Sequence, residues 1–381
     1  MNFELTADQK LIQETARDFA TNRLATTAAK NDEEERFPRD EVKGLAELGF
    51  MGMFVPESLG GAGTDHVSYA IAIEELSRGC ASTGVIVSVN NSLVCQPILD
   101  WGTDEQKRAF LPKLAKGEWL GCFSLSEPGS GSDAAGLKCV AREEGDHFVI
   151  NGTKNFVTNG PESDVILLFA RTSADSHKGV TAFLVMKDTP GFSVGVIDKK
   201  LGIRASHSSE LVFQDAKVPK ANVLGKVGEG WKVAMKTLDG GRIGIAAQAC
   251  GITAACLQAG TKYALERKQF GRPIADFQAI QWFLADMKMK LDASRLLTYR
   301  AAWEQDQGLS FTLAASTAKL FASDAAVQSA IKAVQIHGGA GYMKDYPVER
   351  FMRDAKVTEI YEGTSEVQRM VIAAKVLKGA L

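Results

Sequence analysis

One segment near the C-terminus places a carboxylate where it could act as a general base. Glu362 lies between Tyr361 and Gly363, directly before a predicted helix. A carboxylate desolvated against flat apolar surfaces has its pKa raised towards neutrality, as general base catalysis at neutral pH requires. On local grounds alone, a pre-helix turn with Thr364 or Ser365 as N-cap explains the same residues at least as well.

Two glycine-rich stretches are candidates for ligand-binding loops. Residues 129–133 are small or acidic, and small residues allow a backbone to approach an anionic or flat ligand. The stretch lacks the Gly-Lys-Ser/Thr ending of a Walker loop, and a flexible loop is the alternative. Residues 338–341 follow a predicted helix, whereas a dinucleotide-binding glycine loop follows a strand. Taken alone, they are typical of a helix C-terminus and turn.

A basic segment at the end of a predicted long helix could bind a phosphate. Arg267, Lys268 and Arg272 lie just before Pro273. Arginine can bind phosphate oxygens through two parallel hydrogen bonds. Cations also interact favourably with the negative end of a helix dipole, so a structural explanation stays open.

Composition excludes several classes of protein. The 381 residues include 44 Lys plus Arg and 46 Asp plus Glu, a formal charge of −2. This balance gives no long-range attraction to nucleic acid or anionic lipid. No apolar run reaches the roughly 18 residues of a membrane helix, and the charged N-terminus predicts no signal peptide. The six cysteines and five histidines lack metal-ligand spacing. We therefore expect a cytoplasmic protein with free cysteines and no protein-bound metal.

Helix and strand signals predict three domains, over residues 1–118, 119–230 and 231–381. The first and last contain segments with helical apolar periodicity; no proline precedes Pro38, and only Pro273 lies between Pro219 and Pro347. Helices are predicted over residues 40–48, 67–78, 106–116, 242–267, 276–305, 310–334 and 365–377. Thr6 and Gln9 fit a capping box, which predicts a further helix at the start of the chain.

The middle segment is predicted to be an antiparallel β domain. Its β-favouring runs cover residues 148–150, 153–158, 165–169, 180–186, 192–197 and 210–213. No helix-length periodic segment separates these runs, as a βαβ sheet would require. Asn151-Gly152 lies between the first two runs, and such a pair is a strong signal for a tight hairpin.

Taken together and in order, these motifs resemble the acyl-CoA dehydrogenase family over essentially the whole chain. The resemblance rests on residues 48–50, 55–57, 60–63, 126–133, 151–154, 158–160, 200–204, 267, 270–272, 277–279, 335–342 and 361–365. It implies an α+β fold with an N-terminal helical domain, a middle antiparallel β-barrel domain and a C-terminal four-helix-bundle domain. It also implies a homotetramer.

The resemblance implies FAD as the cofactor. By matching positions, the flavin and its ribityl-phosphate chain would contact Phe123, Leu125, Ser126, Gly131, Ser132, Phe156, Val157 and Thr158. The neighbouring subunit would hold the pyrophosphate and adenosine part with Arg267, Phe270, Gln278, Gln335, Gly338 and Gly339. Contacts from the catalytic side would come from Thr364, Ser365 and Glu366. Many relatives have Trp at Phe156 and Thr at Ser126, and we expect FAD binding to survive both differences.

The resemblance also implies the reaction, dehydrogenation of an acyl-CoA thioester to the trans-2-enoyl-CoA. Glu362 matches the usual base and would remove the proton α to the thioester carbonyl, while the flavin accepts hydride from the β carbon. Hydrogen bonds from the Glu362 N–H and an FAD ribityl hydroxyl would stabilise the developing enolate. The implied substrate contacts are Ser132, Asp239, Arg242, Tyr361 and Gly363. For Asp239 and Arg242, helix capping and a solvent-facing charge are the alternative.

Residues 241–248 resemble the short-chain, butyryl-CoA branch of the family. Gly241 occupies the place where a few relatives carry their base, which leaves Glu362 without a competitor. The implied electron acceptor is electron-transfer flavoprotein, and the implied process is fatty acid β-oxidation. Three alternatives remain: a branched-chain acyl-CoA dehydrogenase, an acyl-CoA oxidase-like relative, and a non-catalytic acyl-CoA or flavin-binding scaffold.

Overall fold

The N-terminal region is helical, as predicted. We describe a computed structural model, which covers residues 4–379. Thr6 and Gln9 form the predicted capping box at the start of α1. A π-helical turn over Ala20–Leu24 joins α1 to α2. The helices of this region are α1 (Ala7–Phe19), α2 (Ala25–Glu33), α3 (Arg39–Glu47), α4 (His66–Gly79), α5 (Ala81–Ser88), α6 (Gln96–Trp101) and α7 (Asp104–Ala115).

Sequence reasoning missed the helical stretch of α5 and α6, which a π-helical segment over Val89–Cys95 connects. Every residue from 81 to 95 is buried. Helix α5 and the π-helical segment are thus buried on all sides, and without a polar face they have no amphipathic period by which a sequence could reveal them.

The middle region is one sheet of eight strands in the order β6-β7-β3-β2-β4-β5-β8, with β1 beside β4. The strands are β1 (Gly121–Ser124), β2 (Val140–Glu144), β3 (His147–Thr158), β4 (Val165–Arg171), β5 (Val180–Met186), β6 (Phe192–Ile197), β7 (Ser208–Pro219) and β8 (Val223–Leu224). Most pairings are antiparallel, but β1 and β2 each run parallel to β4. The purely antiparallel prediction is therefore wrong, because strands distant in sequence pair without an intervening helix.

The predicted hairpin at Asn151-Gly152 is also wrong. Strand β3 runs straight through this pair, and Gly152 lies at a register shift opposite β7 with φ +152°. A Cβ at Gly152 would lie 2.7 Å from Cys139, so the glycine serves close packing rather than a turn. The hairpin forms earlier in the chain, between β2 and β3, where Glu144 pairs with His147 around Gly145 at φ +59°.

The C-terminal region returns to helix. Its long helices are α8 (Gly230–Glu266), α9 (Gln278–Asp306) and α10 (Thr312–His337), and its short ones are α11 (Val348–Val357) and α12 (Ser365–Val376). A two-stranded ribbon, β9 (Lys268–Gln269) and β10 (Arg272–Pro273), follows α8. Helix α8 packs against α4, α9 and α10, while α11 and α12 pack on α10. Helix α11 was not predicted.

Helix α8 begins at Gly230, at the predicted domain boundary, and runs through Gly240 and Gly241 into the helix predicted over residues 242–267. It has the length and apolarity of a membrane span, but 83% of its apolar window is buried inside the protein. We therefore interpret α8 as the central core helix. All six cysteines are free, as predicted, and all six are buried.

Candidate active site

The turn between α11 and α12 holds Glu362 in a strained backbone conformation. Glu362 has φ +51°, and Gly363 follows at φ +95°. A non-glycine residue in the left-handed region costs of order 1–3 kcal/mol and persists where its surroundings enforce it. Thr364 is the N-cap of α12 and accepts from the Val367 N–H at 3.3 Å. The N-cap interpretation is therefore confirmed, but it does not account for the strain at Glu362.

The Glu362 carboxyl is desolvated and incompletely hydrogen-bonded. The residue as a whole is partly exposed, whereas its Oε2 is buried and has no hydrogen-bond partner among residues 4–379. Burial raises the pKa of Glu362 to about 7, although the nearby charges of Lys319 and Arg242 oppose the rise. A carboxyl with such a pKa is ionised in part at neutral pH and can still accept a proton efficiently.

Helix α8 makes room for this carboxyl at Gly241. A Cβ on Gly241 would lie 2.2 Å from Glu362 Oε2 and 2.7 Å from Leu93. A side chain at this point of the helix would displace the Glu362 carboxyl oxygen, which occupies the space of a Cβ. The Glu362 carboxyl therefore lies directly against α8 at Gly241.

Asp239 and Arg242 form an ion pair that flanks Gly241 on the same helix, with Arg242 buried and Asp239 half-buried. Arg242 Nη1 donates to Asp239 Oδ1 at 2.6 Å and to Ser316 Oγ at 3.2 Å. Thr312 donates to the second Asp239 oxygen at 2.6 Å. Arg242 is 6% exposed and lies inside α8, so the alternative of a solvent-facing charge at a helix cap is wrong for this residue. Its Nε is buried without a partner in the described chain.

Two further residues shape the site, although the sequence reading gave neither a role. The Tyr361 hydroxyl hydrogen-bonds to Gln248, whose amide donates to the Ala81 carbonyl at 2.9 Å. Lys319 is fully buried and donates to the Gly363 carbonyl at 2.8 Å. The available signal was a lysine within the alanine-rich, core-forming stretch of α10. Lysine is almost never fully buried without a partner, so such a position indicates a specific contact.

The predicted flavin-contacting residues gather where β1 and β3 end. Leu125 and Val157 are buried, whereas Phe156 is 69% exposed at φ +56°, within an irregularity of β3. The buried Lys154 holds the segment after β1 against β3, because its ammonium donates to the Leu125 carbonyl at 3.0 Å and to Glu127 at 2.8 Å. The remaining members of the set here are Phe123, half-buried on β1, Ser126 and Thr158, half-buried, and Gly131 and Ser132, exposed.

These residues fit a flavin. An exposed aromatic ring in a strained conformation offers a flat wall, and a Cβ on Gly131 would meet nothing within 4 Å, so a ligand can approach the backbone. The buried Ser124 hydroxyl lacks a hydrogen-bond partner among the described residues. At the N-terminus of α12, Thr364 and Ser365 are largely covered and Glu366 is exposed.

The second predicted set lies at one end of the C-terminal helices. Tyr263 of α8 stacks on His337 of α10 with ring centroids 4.2 Å apart, which places Arg267 and Gly338 at neighbouring helix ends. Phe270 is 92% exposed at φ +51°. The other members, Gln278, Gln335 and Gly339, are exposed too. No hydrogen bond or ion pair between described residues joins this set to the flavin-contacting residues of the β domain. Gly338 ends α10, so the prediction of a helix C-terminus is confirmed.

Family models match nearly the entire chain. The N-terminal, middle and C-terminal domain models of acyl-CoA dehydrogenase match residues 6–118, 122–216 and 228–377. A short-chain specific acyl-CoA dehydrogenase of Clostridium acetobutylicum is 50% identical over 99% of this chain and 100% of its own length.

Solved structures agree with these matches. Butyryl-CoA dehydrogenase from Megasphaera elsdenii superimposes with a TM-score of 0.97 at 44% identity, covering 99% of this chain and 100% of that one. A chain from the structure of the electron transferring flavoprotein of Acidaminococcus fermentans gives 0.98 at 46% identity, with the same coverage. The chain belongs to the acyl-CoA dehydrogenase family, is similar to its short-chain members over nearly its whole length and is an oxidoreductase.

Proposed function

We propose that the enzyme dehydrogenates butyryl-CoA-like thioesters with Glu362 as the base and FAD as the hydride acceptor. The observation that carries the assignment is the Glu362 carboxyl, with a buried, unpartnered oxygen in a strained turn. Groups of this kind are uncommon in proteins and concentrate at sites of proton transfer.

Glu362 removes the proton α to the thioester carbonyl. Oε2 has no hydrogen bond to break before it accepts the proton. The Glu362 N–H donates to no described residue, so it is free to donate to the thioester oxygen, where negative charge develops. Bound FAD supplies the acceptor for the β-hydride.

Tyr361 and Gln248 limit the space for the acyl chain beside the base. Their side chains hydrogen-bond to each other, and Gln248 is fully buried and tied to α5. A fixed pair of side chains beside the base would favour a short acyl group, although a single methylene in an apolar pocket is worth only about 10–200-fold in discrimination. Ser132, Asp239, Arg242 and Gly363 would complete the substrate contacts.

The exposed set around Arg267 and Gln335 would hold the FAD of a neighbouring subunit in a homotetramer. Its basic and glycine-rich ends lie on the surface at one end of the C-terminal helices. We expect Arg267→Ala to lose FAD more readily on dilution than Arg272→Ala, as measured by the flavin fluorescence released. Equal FAD retention in the two variants would contradict this role of Arg267.

We propose the domain boundaries at residues 118 and 230, a cytoplasmic location, a place in fatty acid β-oxidation, and electron-transfer flavoprotein as the acceptor. The similarity to a chain from the structure of the electron transferring flavoprotein of Acidaminococcus fermentans supports this acceptor. Electrons would leave past the exposed ring of Phe156.

The deciding experiment is anaerobic mixing of the FAD-loaded enzyme with a panel of saturated acyl-CoA thioesters. We expect rapid bleaching of the oxidised flavin band, fastest with butyryl-CoA. Faster bleaching by a branched thioester would shift the assignment to that branch, and fast reoxidation by oxygen would indicate an oxidase. Bound flavin that no saturated thioester bleaches would refute the dehydrogenase.

A further inference from the structure

Lys319 is a buried cation that the proposed mechanism does not use. It lies on α10 and its side chain is fully inaccessible to solvent. Among the described residues, its ammonium makes one hydrogen bond, to the Gly363 carbonyl at 2.8 Å. An ammonium group carries three donors, and a buried charge without a bonded counterion is costly. Burial lowers the pKa of Lys319 to about 8, although Glu362 acts in the opposite direction.

The acceptor of this hydrogen bond belongs to the turn that holds the base. The Gly363 carbonyl also accepts from Gln368 Nε2 at 2.9 Å, so two donors fix the peptide after Glu362. A Cβ on Gly363 would lie 2.6 Å from that Gln368 nitrogen. The Lys319 ammonium therefore contacts the backbone of the strained turn and makes no hydrogen bond to the Glu362 carboxyl.

The two cations that act on the Glu362 carboxyl come from two different helices. Lys319 lies on α10 and Arg242 on α8, and both favour the carboxylate form of Glu362. Arg242 is already paired with Asp239 at 2.6 Å, whereas Lys319 has no ion-pair partner in the described chain. Two other carboxylates, Glu359 and Glu366, act on Lys319 from the ends of the turn. The phenols that face Glu362 are Tyr361 and Tyr69.

We propose that Lys319 is a positioning residue for the base: its ammonium holds the Glu362-Gly363 turn and supplies the uncompensated positive charge that keeps the Glu362 carboxylate available. This inference rests on the proposed function of Glu362. Without that charge, desolvation would act on the carboxyl with less opposition, and Glu362 would take up a proton at higher pH.

The test is the pH dependence of flavin bleaching by butyryl-CoA in the FAD-loaded enzyme. In Lys319→Met we expect the midpoint to move up by about one pH unit and bleaching at pH 7 to slow by about five-fold. Lys319→Gln keeps an N–H donor without the charge, so it should keep the raised midpoint but recover more of the rate at high pH.

The matched control is Ser323→Ala. Ser323 lies one turn along α10, is fully buried and donates to the Thr358 carbonyl at 2.8 Å, without carrying charge. The Ser323→Ala enzyme should have the same pH midpoint of flavin bleaching as the wild type. If Lys319→Met also has the wild-type midpoint and rate, the proposal is wrong.

An infrared titration keeps the test decisive if the Lys319 variants do not fold. In the wild type, the carboxylate band that Glu362→Gln removes should change frequency as Lys319 loses its proton near pH 8. A band that stays constant through that range would overturn the inference. Failure of the function itself looks different, because Glu362→Gln would then retain flavin bleaching.

Discussion

Glu127 and Glu362 are both largely buried carboxylates with a buried lysine nearby, yet their surroundings act on them in opposite ways. Glu127 accepts from Lys154 at 2.8 Å and from the backbone N–H groups of Lys138 and Cys139 at 2.6 and 2.9 Å. Glu362 keeps one oxygen without any partner in the described chain, and its lysine bonds to a neighbouring carbonyl instead.

The pKa values follow the hydrogen bonds. Burial alone would raise the pKa of Glu127, but the Lys154 charge and the three hydrogen bonds outweigh it and lower the pKa below its usual value. At Glu362 desolvation prevails and raises the pKa to about 7. A buried lysine nearby therefore does not decide whether a carboxylate is structural or reactive; the completeness of its hydrogen bonds does.

The largest expected effect comes from removing the reactive carboxylate. Glu362→Gln preserves shape but cannot accept the proton, so flavin bleaching by butyryl-CoA should slow by at least about 10³-fold. FAD absorbance and acyl-CoA binding should persist, as checked by anaerobic titration. Turnover near that of the wild type would remove Glu362 from its role.

The next effect concerns stability at the structural pair. Lys154→Met leaves the Glu127 carboxylate buried without its cation, which should lower the free energy of unfolding by about 3–5 kcal/mol. Urea denaturation measures the loss, and adding Glu127→Leu should recover part of it. The comparison fails if Lys154→Met is as stable as the wild type.

Filling the space beside Gly241 should slow flavin bleaching less than removing the base does. In Gly241→Ala the new Cβ would displace Glu362 Oε2, and such a misplacement is expected to slow bleaching by about 10²-fold. Gly240→Ala is the control, because its Cβ would meet only Gln305 at 3.7 Å. Equal rates in the two variants would show that α8 does not constrain the base.

The sequence predicted the parts of the site that stand in local motifs. Glu362 and the capping residue Thr364 were candidates because residues 361–365 carry a local signal, whereas Gly241 was singled out only through the family resemblance. Lys319 and Gln248 were not assigned, since their importance comes from contacts across 44 and 113 positions of the chain. Long-range partners of this kind leave no local spacing to detect.

The same limit explains the errors in the fold. Helices with one polar face were found within a few residues, while the fully buried α5 was missed for want of a period. The Asn151-Gly152 pair has the composition of a hairpin, but the close approach of Cys139, not a turn, requires its glycine. Local propensity depends only on the residue types, whereas tertiary packing decides which conformation those residues adopt.

The smallest expected effect is a pH-dependent stability difference at Glu362. Its pKa is about 7 in the folded chain and about 4.5 as the ordinary value, so the folded state binds more protons between these limits. Stability from this group is therefore lost as pH rises through that window. Glu362→Gln lacks the titration and should gain in unfolding free energy relative to the wild type above pH 7, by at most about 3 kcal/mol, and not below pH 4.5.

Glu366→Gln supplies the opposite case on the same turn. Hydrogen bonds from its own backbone N–H and from Thr364 lower the pKa of Glu366, so its carboxylate contributes stability above its unfolded pKa and loses it in acid. Urea midpoints from pH 4 to pH 8.5 should therefore rise relative to wild type for Glu362→Gln and not for Glu366→Gln. Parallel curves for the two variants would mean that the Glu362 carboxyl is solvated like a surface group, and its contrast with Glu127 would disappear.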